Sequence, residues 1–360
     1  MSQSTPFSSL LTLARETSSD KRRELLREIT DTFMVAPETH TEGETLQYGE
    51  VMAKLAHDVE MEVRRELADR LARIPNAPHS LITQLADDEI AVAEPVLKES
   101  GVLQDSDLVA LAERKGQDHL NALSQRKILS VKVTDAIVKR ADDRVLETLV
   151  TNQGAKLSRN AMETVVSRAE RNERLHAPVL KREDLPPDLM QEMFFFVNSS
   201  LKEFILQRTS EIDPASLDTM LKTAQRHATK KLHLPSWSPD AEAFINAKEA
   251  KRELNEQLLD QLLREHRSEE FLLAFARLTE IDVETAKRIL ADRSRESVAI
   301  ACRAARFDRS TFANIVLLWG GREARPTREA QLVLSLYDRI TVETAQRVMR
   351  FWRIRHKAAA

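Results

Sequence analysis

Residues whose types could support metal binding or catalysis are scattered along this 360-residue chain. Nine histidines are present, and no two of them lie three or four residues apart, the spacing by which one helix face presents two histidines to a metal ion. The one cysteine, Cys302, lies in an apolar run, which favours a small buried residue over a reactive thiol. The sequence therefore predicts no metal site, no cofactor and no catalytic residue.

Two acidic pairs have the residue types for proton transfer. Asp87-Asp88 and Asp142-Asp143, however, recur in register with the repeat described below, which helix capping predicts and a single active site does not. The chain contains only seven glycines, whereas phosphate-binding loops and tight hairpins use glycine for its positive φ. This composition argues against a β-sandwich, a β-barrel or a dinucleotide-binding sheet.

The basic C-terminal end is the strongest candidate for a binding surface. Residues 268–360 contain 17 Lys and Arg residues against 12 Asp and Glu residues, although the whole chain has a net charge of −3. Arginines interleaved with aromatic side chains are typical of interfaces. The alternative is a solvated cluster that complements the end of the last helix, with the aromatic side chains buried in the core. The candidate partner-binding residues are Arg347, Arg350, Phe351, Trp352, Arg353 and Arg355.

A repeated signature indicates the architecture. An apolar residue, then a polar residue or proline, then an amphipathic helix recur in steps of 26 to 29 residues from Ile74 to Ile212. The signature returns at Ile281, Phe307 and Ile340. A pair of helices this short cannot bury its apolar stripe alone, but stacked pairs can. The spacing predicts an all-α fold, a HEAT-like α-solenoid of short helix pairs.

The polar position of the signature is suited to capping. A side-chain oxygen there accepts a hydrogen bond from an N–H group in the first helical turn, which has no partner within the helix. Asp282 and Asp308 occupy this position in successive repeats. The sequence therefore predicts them to be equivalent N-caps, each stabilising its helix to a similar degree.

The repeats fall into two predicted arrays. Because Leu254, Leu258 and Leu262 share one helical face, a long helix over about 243–266 is expected to bridge them. The predicted segments are N-terminal helices and a polar linker at 1–45, a first array at 46–232, a proline-rich linker at 233–242, and a second array with the basic C-terminal helix at 243–360.

Part of the first array resembles a known family. The stretches that carry the resemblance are Leu85–Asp88, Val92–Leu97, Leu103–Leu108 and Arg182–Pro186. On these stretches, residues from about 46 to 205 are similar to an uncharacterised family known chiefly from alphaproteobacteria, domain of unknown function 2336. The resemblance implies a HEAT-like helical array and no established activity, partner or catalytic residue.

The absence of a catalytic pattern favours a non-enzymatic scaffold or adaptor that binds a protein partner through its helical-repeat surface. Nucleic-acid binding through the basic C-terminal end is the alternative, with an enzyme site in the groove as a third hypothesis. No apolar stretch approaches the length of about 18 residues that spans a bilayer, and no basic residue precedes the short apolar run Leu10-Leu11. We therefore expect no membrane span and a cytoplasmic location.

Overall fold

A computed structural model describes residues 18–227, 238–319 and 327–357. These residues form 22 α-helices and two short 3-10 helices, with no strand among them, so the predicted all-α class is confirmed. The helices pack against one another in a solenoid-like manner. The chain divides into two compact units, Met1–Asp184 and Leu185–Ala360, called unit 1 and unit 2 here.

Unit 1 consists of eleven described helices that alternate between two layers. The first layer consists of the odd-numbered helices α1 to α11, and each of them packs against the next odd-numbered helix. In the second layer α2 packs on α4, and α8 packs on both α6 and α10. The helices are α1 (Ser19–Val35), α2 (Glu42–His57), α3 (Met61–Leu71), α4 (His79–Ala86), α5 (Ile90–Glu99), α6 (Asp105–Arg114), α7 (Gln117–Ser124), α8 (Val131–Arg140), α9 (Asp143–Thr151), α10 (Arg159–Ala169) and α11 (His176–Leu180).

The polar linker predicted at the end of segment 1–45 is wrong over residues 42–45, because these residues begin helix α2. The Thr41 hydroxyl accepts a hydrogen bond from the Glu44 N–H at 3.3 Å, and the Glu44 carboxylate accepts one from the Thr41 N–H at 2.8 Å. This reciprocal pair is a capping box, which a polar sequence can form as readily as a linker. The N-terminal helix α1 packs on α2 through Leu26, Ile29 and Phe33, and so belongs to unit 1.

Unit 2 is organised around its last helix. Helix α22 packs against α12, α13 and α14, and also against α19. The described helices are α12 (Pro187–Met193), α13 (Ser199–Ser210), α14 (Pro214–His227), α15 (Pro239–Ala250), α16 (Glu256–Arg264), α17 (Ser268–Thr279), α18 (Val283–Ala291), α19 (Glu296–Ala304), α20 (Arg309–Leu318), α21 (Thr327–Arg339) and α22 (Val342–Lys357).

The division between the units therefore falls at Asp184 and Leu185, whereas the sequence places it at the linker 233–242. The physical reason is that α12 to α14 complete their core with the distant helix α22. Of the predicted linker, residues 233–237 lie outside the described residues. Ser238 caps α15, and Pro239 is its first residue.

The predicted bridging helix over 243–266 is also wrong, because the chain breaks between α15 and α16. Arg252 adopts the left-handed conformation, with φ of 58°. Its N–H donates to the Glu249 carbonyl, and the Glu253 N–H reaches back to the Lys248 carbonyl, both at 2.9 Å. This is a Schellman motif, which glycine usually completes. Asn255 then caps α16 by accepting from the Leu258 N–H.

Of the two predicted aspartate caps, one is confirmed and one is wrong. The Asp282 carboxylate accepts from the Thr285 N–H at 2.9 Å. Asp308 stands at the equivalent position before α20, but its side chain makes no capping hydrogen bond. Its own N–H instead donates to the Glu256 carboxylate at 2.7 Å. The repeat therefore preserves the backbone position of the cap without preserving its chemistry.

The different contacts of the two aspartates predict that their substitution by alanine lowers the free energy of unfolding by unequal amounts. Asp282→Ala should lower the free energy of unfolding by about 0.5–2 kcal/mol, because a helix N–H loses its acceptor. Asp308→Ala should change it by less than about 0.5 kcal/mol. Chemical denaturation of the two variants beside the parent checks both values. Equal losses would show that Asp308 does cap its helix.

Candidate interaction surfaces

The sequence-predicted site on the last helix lies largely inside unit 2. Phe351 and Trp352 are buried, and the Trp352 ring lies 4.9 Å from that of Phe195 and 5.7 Å from that of Phe194, measured between centroids. These contacts make the two aromatic residues of the candidate set part of the core formed with α12. The structure therefore places them as core residues, as the alternative in the sequence analysis expects.

The arginines of the same helix bind the ends of neighbouring helices. Arg347 donates to the carbonyls of Ser210 and Ile212, at 2.8 and 3.0 Å, where α13 ends. Arg353 donates to the Thr279 carbonyl at 3.0 Å, where α17 ends. Helix C-termini carry carbonyls with no intrahelical partner and a partial negative charge, so a guanidinium there is doubly favourable.

Two further candidates differ from these. Arg350 has a side chain that is 55% exposed, with its guanidinium 3.9 Å from the Asp218 carboxylate. Arg355 continues helix α22, and its side chain lies outside the described residues. Among the candidates with described side chains, Arg350 alone is more than half exposed.

Substitutions of Arg347 and Arg350, which lie three residues apart on α22, distinguish an arginine that caps a helix end from an exposed one. Arg347→Gln should lower the free energy of unfolding by about 1–3 kcal/mol, because it withdraws a donor from two carbonyls. Arg350→Gln should change it by less than about 0.5 kcal/mol, since a long, exposed ion pair contributes little. Thermal and denaturant unfolding check this contrast. Similar, small effects of both substitutions would contradict a capping role for Arg347.

The side chains whose types could support catalysis occupy structural positions in the fold. Cys302 is fully buried, and burial raises the pKa of its thiol far above the ordinary range, with a smaller contribution from Glu256. The thiol is therefore held in its unreactive form. Within the described part of the chain, no group of three or more His, Cys, Asp or Glu side chains is placed to hold a metal ion.

The most buried charged cluster joins α13 to the start of α19. Lys202 is almost fully buried, and its ammonium donates to both carboxylate oxygens of Asp292 at 3.1 Å and to the Ser294 hydroxyl at 2.8 Å. Burial raises the pKa of Asp292, but Lys202 and the hydrogen bonds from Ser297 outweigh it, so the pKa lies below its usual value. The Lys202 ammonium also lies 3.4 Å from the Glu296 carboxylate, so it pairs with two carboxylates, and the hydrogen bonds within the cluster indicate a structural role.

The lowered pKa of Asp292 predicts how stability depends on pH. A carboxyl group with a depressed folded-state pKa stabilises the fold above its ordinary pKa, near 4, and loses that contribution as the pH falls through the folded value. Lys202→Met should therefore cost about 3–5 kcal/mol at pH 7, where Asp292 is charged. The difference from the parent should narrow toward pH 4, because in the variant burial is no longer opposed by Lys202 and Asp292 takes up a proton at a higher pH than in the parent.

Urea unfolding of the parent and of Lys202→Met at several pH values measures the difference between their free energies of unfolding. Lys222→Met, at an exposed lysine on α14, is the matched control and should leave stability unchanged at every pH. A Lys202→Met deficit that stays constant from pH 7 to pH 4 would contradict the ion pair as the source of the effect.

In three successive repeats of unit 1, a side chain donates hydrogen bonds to carbonyls at the end of the preceding helix of the first layer. Arg126 donates to the carbonyls of Leu97 and Ser100, both at 2.6 Å, at the end of α5. Asn152 donates to carbonyls at the end of α7, and Arg182 donates to three carbonyls at and beyond the end of α9. These side chains stand in successive repeats, so each loop is fixed to the repeat before it.

A second series acts on the other layer. Lys115 donates to the Asp87 carbonyl at the end of α4. Arg140 donates to the Ala112 carbonyl near the end of α6 at 2.7 Å, and Arg168 donates to the Ala141 carbonyl after α8 at 3.4 Å. Neither series was predicted from the sequence. Their signal is a polar or basic residue near the end of each helix, recurring at the repeat spacing.

The loops after α7 and α9 carry a surface of a different kind. Ile128 is 71% exposed and Val131 is 40% exposed. Lys127, Lys132 and Lys156 are exposed beside them, and none of the three forms an ion pair within the described ranges. We call Lys127, Ile128, Val131, Lys132 and Lys156 the loop-edge patch. It combines aliphatic surface with unpaired positive charge.

The fold and these surfaces define a helical-repeat protein with interlocked repeats. The chain belongs to the family described as an uncharacterised protein conserved in bacteria (DUF2336), whose model matches residues 92–350. This match confirms the resemblance seen in the sequence, although it starts later than the predicted stretch 46–205 and extends much further. Comparison with curated proteins and with solved structures found no match. No described helix is long and apolar enough to cross a membrane.

Proposed function

We propose that the protein is a non-enzymatic adaptor of the cytoplasm that binds a protein partner through the helical repeats of unit 1. The observation that carries the proposal is the contrast between its two kinds of cation. The side chains of Arg126, Arg140 and Arg182 are engaged with carbonyls of neighbouring repeats. The lysines of the loop-edge patch lack such partners and lie beside exposed aliphatic side chains.

Repeat architecture supports this function because stacked helix pairs offer an extended rigid surface without requiring a buried site. Ile128 and Val131 add exposed aliphatic surface to the lysines of the patch. Nucleic-acid binding through the C-terminal helix is the second candidate. It has less support, since Arg347 and Arg353 are engaged with helix ends in unit 2.

Site-specific photo-crosslinking of the full chain in cells of its own bacterium tests the proposal. A benzophenone amino acid is placed in turn at three exposed positions of unit 1, namely Gln47, Gln153 and Glu170. We expect adducts from at least one position that protease digests and nuclease leaves intact. Adducts that disappear with nuclease would favour nucleic-acid binding, and the absence of protein adducts at all three positions would contradict the adaptor function.

A further inference from the structure

We infer that the loop-edge patch binds an acidic segment of a partner protein, with Ile128 and Val131 contacting aliphatic side chains of that segment. The inference rests on the proposed adaptor function and specifies the chemistry of the partner. Three independent features carry it: the rigidity of the two loops, the local excess of positive charge, and the kinds of apolar side chain present.

The rigidity comes from a short parallel pairing between the two loops. The Leu129 N–H donates to the Gly154 carbonyl, and the Lys156 N–H donates to the Leu129 carbonyl, both at 3.1 Å. Leu129 and Ala155 are buried beneath this pairing. Because side chains alternate along an extended segment, Ile128 and Lys156 point to the outer side. Both side chains are exposed, as this alternation requires.

Glycine at position 154 makes the pairing possible. A Cβ atom added to Gly154 would lie only 1.9 Å from the Lys127 carbonyl oxygen, so any other residue would force the loops apart. The Thr134 hydroxyl also donates to the Lys156 carbonyl at 2.6 Å. The patch is therefore held in one arrangement before binding, which reduces the entropy that a partner must overcome.

The described carboxylates near the patch form hydrogen bonds elsewhere and no ion pair with its lysines. Asp135 accepts from the Ser158 hydroxyl at 2.6 Å. Asp107 accepts from the Gln104 N–H and contacts the His79 ring, both at 2.9 Å. Burial lowers the pKa of Arg126, and the charge of Asp105 acts in the opposite direction, which places Asp105 near that guanidinium. Lys127, Lys132 and Lys156 are therefore exposed without an ion pair among the described residues, and their ammonium groups can pair with a bound segment.

The side-chain types favour an acidic protein segment over the other polyanions. Single-stranded nucleic acids are bound by aromatic platforms with basic side chains, and membrane interfaces by basic faces with Trp, Phe or Leu. The patch contains no aromatic residue. Its lysines suit carboxylates spread along a chain, because an ammonium pairs without a fixed geometry. Its two β-branched side chains offer a small apolar contact between them.

The test uses the full chain with the benzophenone residue at position 153, which leaves all five patch residues in place. Lys127→Glu, Lys132→Glu and Lys156→Glu are combined in one variant. The control variant combines Lys54→Glu, Lys139→Glu and Lys222→Glu, at exposed lysines outside the patch. It has the same change in net charge. Circular dichroism and melting curves establish that both variants fold.

We expect the crosslinked partner peptide, sequenced by mass spectrometry, to carry net negative charge and aliphatic residues. Adduct yield should fall about tenfold in the patch variant, as expected for three exposed ion pairs, and less than twofold in the control. Raising the ionic strength to about 1 M should reduce the yield of the parent similarly, because charges are then screened within about 3 Å.

Other results overturn the inference in distinct ways. A protein adduct at position 153 with the same yield in both variants would show that charge is not used. Adducts to lipid or nuclease-sensitive adducts would show another class of partner. Protein adducts from position 47 or 170 with none from 153 would leave the adaptor function standing and refute this patch. No protein adduct at any position would refute both.

Discussion

Every helix ends in carbonyl groups that have no partner within the helix, and unit 1 depends on how these are satisfied. A chain of short helices has many such ends per residue, and burying them without donors would cost more than the apolar packing gains. Side chains such as Asn152 and Arg182 supply donors from the next repeat. The same bond that ends one helix therefore also fixes the position of the next loop.

The same requirement accounts for several arginines of the C-terminal region. A guanidinium offers five donors in a fixed plane and can bind two carbonyls at once. Arg347 does so at the end of α13, and Arg295 donates to the carbonyls of Leu290 and Trp319. These arginines direct part of the basic charge of this region into unit 2. In unit 1, by contrast, the loop-edge patch retains charge that no described helix end uses.

The periodic features of the sequence predicted the helices well because they depend on local physics. Apolar spacing and caps such as Asp282 act within one or two turns, so the sequence shows them directly. The break at Arg252 was missed because glycine normally marks a left-handed residue, and here a charged residue adopts that conformation. The Schellman hydrogen bonds and the Asn255 cap stabilise the break enough to offset the unfavourable backbone conformation.

Long-range contacts could not be predicted from the sequence, for a different reason. The carbonyls bound by Arg347 lie more than 130 residues earlier in the chain, and no local pattern shows that an arginine will face them. The sequence therefore treated the arginines of α22 as one surface group. The loop-edge patch was not predicted for the same reason, because a lysine without an ion pair is recognised only when every neighbouring carboxylate has been located in the structure.

The central claim is that the loop donors hold successive repeats together, and amide hydrogen exchange in an Arg182→Met variant tests it most directly. Arg182 is buried and donates to the carbonyls of Val150, Asn152 and Ala155. The account predicts that amides throughout α9 and α11 lose protection together, by about tenfold or more. Faster exchange confined to the few residues beside position 182 would contradict it.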